Sequence, residues 1–177
     1  DVLTFEGAGV RSDEIRTYAD LWQNGNRIAG GLIERGMQIG DRFALFMRNH
    51  PEFVDTMVGA SVSGTVFVPI DPRTKGAKLA YTLNNSQCRG IITADYAIDQ
   101  ILDIRDQLEY LDWIWVLATD EGDDVNAADV EGAESLQAIL SAPYSAVDIR
   151  VKTGSEPFEI IYTSGTTGRS KGAMVTH

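Results

Sequence analysis

Cysteine, histidine and long apolar runs are scarce in this 177-residue chain. Its single cysteine, Cys88, excludes an internal disulfide bond, and we expect a small core residue rather than a nucleophile. The two histidines, His50 and His177, lack metal-ligating partners at a useful spacing, and we expect His50 at a helix cap or on the surface. No run of about 18 apolar residues predicts a transmembrane helix, and no basic segment followed by an apolar one predicts a secretory signal. These absences predict a cytoplasmic protein.

Basic residues are also few, because 15 Lys and Arg stand against 26 Asp and Glu, a formal net charge of −11. Residues 101–148 hold twelve of the acids and one base, Arg105, so this segment accounts for the whole net charge. Nothing resembles the basic surface that nucleic acid requires. The segment lacks the frame of an EF-hand calcium loop. Residues 119–135 are therefore interpreted as a solvated acidic loop.

Apolar runs alternate with amphipathic stretches along residues 14–118, which predicts strand, helix, strand in repetition. This βαβ rhythm predicts an α/β fold, a mostly parallel sheet with helices on both faces. The apolar content of 44% is ordinary for a globular chain of one domain. The predicted buried strands are 42–47, 65–70, 89–93 and 113–118, with shorter ones at 2–5, 14–16, 158–162 and 173–176.

Caps and stops define the predicted helices. Thr17 is the expected N-cap of the first helix, which buries Trp22 and stops at Gly36. Pro51 suits the first turn of the second helix, and Asp95 is the expected cap of a fourth helix that buries Leu102. The predicted helices are 18–35, 51–63, 75–85 and 96–110, with a short turn at 136–140 and irregular structure at 141–157. The expected inner face of the second helix is Phe53, Val54, Met57, Val58 and Ala60.

The C-terminal stretch carries the strongest chemical signal. A β-prone run to Tyr162 leads into a loop rich in glycine, serine and threonine that contains Lys171. Hydroxyls, close-approaching backbone amides and one ammonium group together suit a polyphosphate. A plain flexible surface loop is the competing interpretation. A Walker A loop is excluded by spacing, because the fifth residue after Gly165 is Ser170 and Lys171 precedes a glycine.

Residues Tyr162 to Gly172 resemble the signature loop of the adenylate-forming superfamily, which includes acyl–coenzyme A ligases, beetle luciferases and the adenylation domains of peptide synthetases. That loop reads aromatic, Thr-Ser-Gly, Ser or Thr, Thr-Gly, any residue, Pro-Lys-Gly. Ten of the eleven positions match, and Ser170 replaces the usual proline. Proline restricts the backbone, so its loss should loosen the loop without removing a phosphate donor.

Three upstream segments resemble the same family in the same order. Residues 17–21, Thr-Tyr-Ala-Asp-Leu, are similar to its Thr-Tyr-x-Glu-Leu, and residues 40–42 to its Gly-Asp-Arg. Residues 64–72, Gly-Thr-Val-Phe-Val-Pro-Ile-Asp-Pro, are similar to its Val-Pro-x-x-Pro segment. The resemblance therefore covers about residues 14–177 and implies the N-terminal part of the large domain of an acyl-CoA synthetase-like fold.

The resemblance implies a two-step activation of a carboxylic acid, first to acyl-AMP with ATP and Mg²⁺, then to a thioester with coenzyme A. It implies that the loop holds the β- and γ-phosphates, and that His177 lines the active site. No catalytic residue and no metal ligand is assigned within the chain. The implied phosphate-binding residues are Thr163, Ser164, Gly165, Thr166, Thr167, Gly168, Lys171 and Gly172.

Three features that the family's reaction requires lie outside the segments that resemble the family. They are the adenine and ribose sites, the acyl pocket, and the lysine of a C-terminal domain. The implied division is a βαβ core at 14–118, a linker at 119–157, and a strand and phosphate-binding loop at 158–177. As an N-terminal portion, the chain is expected to be inactive alone, and its numbering is expected to begin inside a longer polypeptide because no methionine precedes Asp1. The alternatives are a peptide-synthetase adenylation domain, disfavoured by Arg73-Thr74-Lys75 after Pro72, and a non-catalytic nucleotide-binding or interaction domain.

Overall fold

The computed structural model describes residues 2–7, 12–119, 127–143, 145–163 and 169–177. Its strands are β1 (Leu3–Phe5), β2 (Glu14–Arg16), β3 (Arg42–Phe46), β4 (Val66–Pro69), β5 (Cys88–Ala94), β6 (Trp113–Leu117), β7 (Ala133–Ser135), β8 (Pro157–Thr163) and β9 (Lys171–Thr176). Its α-helices are α1 (Tyr18–Glu34), α2 (Pro51–Ser63), α3 (Gly76–Asn85), α4 (Ile98–Leu102) and α5 (Leu136–Leu140).

Seven strands form one sheet in the order β7-β6-β5-β3-β4-β8-β9, and β1 pairs with β2 in a separate antiparallel hairpin. Strands β3 to β8 run parallel, and β9 returns antiparallel to β8. The chain moves from β3 to β4 on one side and then crosses back to β5 on the other. The direction of winding therefore reverses at β3, the arrangement of doubly wound α/β sheets.

Helices cover both faces of the sheet, which confirms the predicted α/β class. On one face α1, α2 and α5 bury Ile28, Ala60 and Leu136 against strand residues such as Phe43 and Trp115. On the other face α3 and α4 bury side chains against the opposite surfaces of the same strands. The strands of the centre are buried on both faces, which explains their continuous apolar runs.

The predicted helix limits at α1 and α2 are confirmed. Thr17 caps α1 in a capping box, since its hydroxyl accepts from the Asp20 amide and the Asp20 carboxylate accepts from the Thr17 amide. Pro51 opens α2, and Gly64 closes it with a left-handed φ of 71°. The expected hairpin of the two short N-terminal strands is also present.

The predicted helix from 96 to 110 is wrong. A 3₁₀ turn at Asp95–Ala97, the short helix α4 and a second 3₁₀ turn at Arg105–Gln107 take its place. The Asp95 carboxylate accepts from the amide of Tyr96 and from the amide and hydroxyl of Thr119, so it ties the end of β5 to the end of β6. Leu102, expected to point inward, is 38% exposed.

The inner face of α2 is also different from the prediction. Of the expected residues only Ala60 is buried, while the aromatic and aliphatic side chains from Phe53 to Val58 are half-buried. The buried residues are small or polar, among them Asp55, Thr56 and Gly59. Gly59 faces α1 so closely that a Cβ there would lie 2.6 Å from Cγ2 of Ile28. Trp22 of α1, expected in the core, is 40% exposed.

The acidic segment contains a strand that its composition did not predict. Within residues 119–135, Ala133–Ser135 form β7 and pair in parallel with β6. Four of the acids, between 120 and 126, lie outside the described residues. The turn at 136–140 is helix α5 as predicted, and the described residues between it and β8 form neither helix nor strand.

Candidate functional site

The predicted phosphate-binding loop joins the two strands of the β8–β9 hairpin. Thr163 ends β8 and lies opposite Lys171, the first residue of β9, so this pair closes the loop. Thr163, Lys171 and Gly172 are therefore placed by the hairpin, and the lysine belongs to a strand rather than to the loop. The remaining predicted residues, Ser164, Gly165, Thr166, Thr167 and Gly168, lie outside the described residues.

The loop leaves the carboxyl end of β8. Because β8 runs parallel to β4, this is the edge at which the other parallel strands also end. Ligands of open α/β sheets bind outside that edge. The hairpin joins the sheet through β4, where Phe67 pairs with Glu159 and the rings of Phe67 and Phe158 meet edge to face at 5.0 Å.

Gly172 has a steric role in the hairpin. It lies directly across from Tyr162, and a Cβ on it would lie 2.7 Å from Cγ2 of Ile160 and 3.2 Å from the Tyr162 ring. The ring can therefore cross the strand and extend toward α3, where the Tyr162 hydroxyl donates to Oδ1 of Asn85 at 2.6 Å. Burial raises the pKa of the Tyr162 hydroxyl, so it remains a donor.

The second limb of the loop is also held by α3. The hydroxyl of Tyr81 donates to the backbone carbonyl of Ser170 at 3.2 Å, and the Arg169 guanidinium lies 5.2 Å from the centre of the Tyr81 ring. Ser170 is the residue that replaces the usual proline, so its carbonyl is anchored from outside the hairpin. Tyr81 and Asn85 were not predicted to be functional. Their spacing of four residues shows that they share a face of α3, but it does not reveal what that face contacts.

An open cleft of about 710 Å³ lies between α3 and the second limb. Its cationic residues are Lys78 and Arg169, both exposed, and its one acid is Glu109. Side chains alternate along a strand, so Thr163 and Lys171 lie on the face of the hairpin opposite Tyr162 and Gly172. Exposed cations therefore flank the loop on both faces of the hairpin, an arrangement that attracts a multiply charged anion.

His177 lies at the far end of β9 from the loop. Its Nδ1 is 3.5 Å from the hydroxyl of Ser61 in α2, and its ring centre is 4.7 Å from that of Phe158. His177 is six residue steps from Lys171, roughly 20 Å at the usual rise of a strand. The structure therefore does not bring these two predicted residues together.

Cys88 and His50 are buried. Burial raises the pKa of the Cys88 thiol to about 12, so Cys88 is the inert core residue that was expected. His50 occupies the N-cap position of α2, as predicted, but its residue is only 2% exposed and its ring packs between Phe5 and Tyr96. Its Nε2 lies 3.0 Å from the Tyr96 hydroxyl.

The described donors at the loop are the Thr163 hydroxyl and the Lys171 ammonium, groups that donate hydrogen bonds to anions. No group of three His, Cys, Asp or Glu that could hold a metal ion occurs in the part of the chain that the structure describes. Mg²⁺ does not need such a group, because it is commonly held by substrate phosphates, water and one or two carboxylates. Among the described helices, none is long and apolar enough to span a membrane.

The hydroxyl of Thr163 and the ammonium of Lys171 thus lie at the carboxyl edge of an open α/β sheet, the edge at which such sheets bind their ligands. The family model described as AMP-binding enzyme matches residues 4–177, and the chain belongs to this family.

Two similar proteins and one solved structure illustrate the relationship. The crotonobetaine/carnitine–CoA ligase of Salmonella typhimurium is 34% identical over 163 residues, 91% of this chain and 30% of that protein. The medium/long-chain-fatty-acid–CoA/3-oxocholest-4-en-26-oate–CoA ligase of Mycobacterium marinum is 29% identical over 179 residues, 100% of this chain and 32% of that protein. The acetoacetyl-CoA synthetase from Streptomyces lividans has a TM-score of 0.81 over 93% of this chain and 26% of that one, at 20% identity.

The fold is that of the N-terminal part of acyl-CoA synthetases. The chain spans about a third of the length of the relatives it matches.

Proposed function

We propose that this chain supplies the phosphate-binding part of an enzyme that joins a carboxylic acid to coenzyme A with ATP. In the first step a carboxylate oxygen attacks the α-phosphorus, the bond to the β-phosphate oxygen breaks, and pyrophosphate leaves. In the second step the CoA thiol attacks the acyl carbon, loses its proton, and displaces AMP. The observation that carries the proposal is the signature loop of residues 162–172, closed by the Thr163–Lys171 pair at the carboxyl edge of the sheet.

The described loop residues would act on the leaving group. Negative charge grows on the β-phosphate as pyrophosphate departs, and the Thr163 hydroxyl and Lys171 ammonium are donors of the pair that closes the loop. A charge-assisted hydrogen bond contributes about 1.5–3 kcal/mol, and more of it is realised as charge develops. Mg²⁺ that arrives with ATP supplies further neutralisation of the phosphates.

The substrate class follows from the relatives. They are ligases of crotonobetaine or carnitine, and of medium- and long-chain fatty acids, so we propose a fatty or other acyl acid. Because the chain spans about a third of these relatives, we infer that residues 1–177 do not complete the reaction alone. A peptide-synthetase adenylation domain remains the alternative, and it differs in its thiol acceptor, a carrier protein rather than free CoA.

The test is ATP–pyrophosphate exchange by the complete gene product, with crotonobetaine, carnitine, octanoate, palmitate and acetoacetate as acids. We expect exchange with at least one acid and formation of its CoA thioester. Exchange with transfer only to a phosphopantetheine carrier protein would favour the alternative. Absence of both ATP binding and exchange would contradict the proposal.

Lys171→Ala tests the role of the loop. We expect kcat/KM for ATP to fall by about 10- to 100-fold, because one charge-assisted contact is lost. The thermal midpoint should stay that of the wild type, since Lys171 is exposed on an edge strand. Lys152→Ala is the matched control, an exposed lysine whose ammonium donates to the Ile149 carbonyl in the segment before β8. Unchanged kinetics in Lys171→Ala would overturn the assigned role.

A further inference from the structure

Both limbs of the phosphate loop are attached to one short stretch of α3. Tyr162, on the incoming limb, donates its hydroxyl to Oδ1 of Asn85 at 2.6 Å. Ser170, on the outgoing limb, accepts from the hydroxyl of Tyr81 at 3.2 Å. Tyr81 and Asn85 are four residues apart and therefore lie on the same face of the helix, one turn from each other. Two side chains of one helix thus hold both ends of a segment that closes on the Thr163–Lys171 pair.

We propose that Tyr81 and Asn85 form a latch, called here the α3 latch, that positions Thr163 and Lys171 for the phosphates of ATP. The proposal rests on the proposed function of the loop. Neither latch residue contacts phosphate in this scheme, so both are positioning residues. The latch holds one face of the hairpin, and the two donors project from the other.

A contact on one face of the hairpin can position Thr163 and Lys171 on the other face. The Tyr162 ring crosses the strand over Gly172, so its hydroxyl fixes the part of the hairpin directly next to the Thr163–Lys171 pair. The Tyr81 hydroxyl fixes the carbonyl of Ser170, which precedes Lys171 in the chain. A shift of either limb would move a donor by a similar distance, and hydrogen bonds weaken steeply with misalignment.

The latch also restrains the backbone at Ser170. Proline in that position would limit the backbone by its ring, and serine does not. Here an outside contact takes over part of that restriction: the Tyr81 hydroxyl on the Ser170 carbonyl, with the Arg169 guanidinium 5.2 Å from the centre of the Tyr81 ring.

The latch lies at the surface, so it can be removed without harm to the core. Asn85 is exposed and Tyr81 is half-buried, whereas the core contacts of α3 are made by Leu79 and Leu83. Tyr81→Phe and Tyr162→Phe each delete one oxygen atom and keep the ring. The cation–π contact of Arg169 and the packing over Gly172 therefore remain in the variants.

The experiment is calorimetric titration of the complete gene product with Mg·ATP, Mg·pyrophosphate and AMP. We expect Tyr81→Phe and Tyr162→Phe each to raise Kd for Mg·pyrophosphate and Mg·ATP by about 3- to 10-fold, the effect of one hydrogen bond on an equilibrium. The Kd of AMP, which has no β- or γ-phosphate, and the thermal midpoint should stay those of the wild type. Tyr18→Phe, on a residue of α1 that is 79% exposed, is the control.

Two results would overturn the latch. One is an unchanged Kd for Mg·pyrophosphate and Mg·ATP in both tyrosine variants. The other is an equal loss of affinity for AMP or a fall in the thermal midpoint, which would mean a structural role. Lys171→Ala separates this outcome from the proposed function. If Lys171→Ala weakens pyrophosphate binding and the tyrosine variants do not, only the latch fails. If Lys171→Ala also leaves the Kd for Mg·pyrophosphate and Mg·ATP unchanged, the phosphate assignment fails as well.

Discussion

A side chain at position 172 would displace its neighbours, because the space that a Cβ would fill is occupied by Ile160 and the Tyr162 ring. We predict that Gly172→Ala displaces the ring from Asn85 and weakens Mg·ATP binding by about 3- to 10-fold, as loss of that one hydrogen bond would. Stability should change little, since β9 is exposed along its whole length. Calorimetric titration measures the first effect and thermal unfolding the second.

Gly30→Ala is the matched control for that substitution. A Cβ at Gly30 of α1 would find its nearest neighbour, a Val147 methyl, at 4.0 Å, so nothing must move. Alanine is also favoured over glycine inside a helix by about 1 kcal/mol. The control should therefore be neutral or slightly stabilised and bind Mg·ATP as the wild type does. If Gly172→Ala bound Mg·ATP as tightly as the wild type, the position of the Tyr162 ring would not affect binding.

Asp55 is a buried acid beneath the N-terminal hairpin. Its side chain has no exposed surface, and its Oδ2 accepts from Nδ2 of Asn24 at 3.1 Å and from Nε of Arg16 at 3.4 Å. Arg16 also pairs with Glu14 and Glu52, so one guanidinium serves three carboxylates. Burial outweighs these partners and raises the pKa of Asp55 to about 6.

The raised pKa predicts a pH-dependent loss of stability. The unfolded carboxyl titrates near about 3.9, so between that pH and about 6 the folded state binds more protons. The free energy of unfolding should therefore fall as pH rises through this window. We expect Asp55→Asn to remove this pH dependence. Between pH about 4 and about 7, the free energy of unfolding of wild type should fall by on the order of 2 kcal/mol relative to that of the variant, as measured by urea unfolding.

Asp71→Asn is the control for the pH series. Hydrogen bonds from Arg73 lower the pKa of Asp71 to about 2, so in the folded state it titrates below the window. The difference in free energy of unfolding between Asp71→Asn and wild type should stay constant between pH about 5 and about 7, where the unfolded carboxyl is also ionised. If the free energies of unfolding of wild type and Asp55→Asn changed in parallel with pH, the assignment of this titration to Asp55 would be contradicted.

At the scale of elements, α1 and α2 pack through glycine. A Cβ on Gly25 would lie 2.4 Å from Cγ1 of Val58, and one on Gly59 would lie 2.6 Å from Cγ2 of Ile28. The two helices therefore approach with each glycine under a β-branched residue of the other. This contact lets small and polar residues fill the inner face of α2 where larger ones were expected.

Gly25→Ala and Gly59→Ala should each destabilise the chain by about 1–3 kcal/mol, because overpacking outweighs the better helix propensity of alanine. Urea unfolding measures the loss, and Gly30→Ala on the same helix α1 as Gly25 controls for propensity. A gain in stability at either contact glycine would show that α1 and α2 separate easily. The double substitution should be less than additive, since the first alanine already moves the helices apart.

At the scale of the whole molecule, the sequence predicted the features that depend on residues close together in the chain. Apolar runs predicted β3 to β6, because these strands are buried on both faces. Thr17, Pro51 and Gly64 predicted the limits of α1 and α2, because caps act within one turn. The resemblance predicted the family and the location of the loop at the end of a strand.

Features that depend on distant contacts were missed. The Asp95 carboxylate looked like a helix cap, but Thr119 of a neighbouring strand end competes for it and the expected long helix is broken. The strand β7 has only three residues and forms because β6 offers an open edge. The contacts of Tyr81 and Asn85 with the loop join residues far apart in the chain, and periodicity carries no information about such pairs.

The pairing of β8 with β4, a strand far earlier in the chain, has a consequence for the order in which the sheet is assembled. Its partner β4 is synthesised first, and the roughly ninety residues between Phe67 and Glu159 take ~5–20 s to emerge from a ribosome that adds about 5–20 residues per second. During that interval the edge of β4 that will pair with β8 has no strand partner, while β3, β5 and α3 can already assemble. The hairpin is therefore synthesised after α3, the helix that holds both of its limbs.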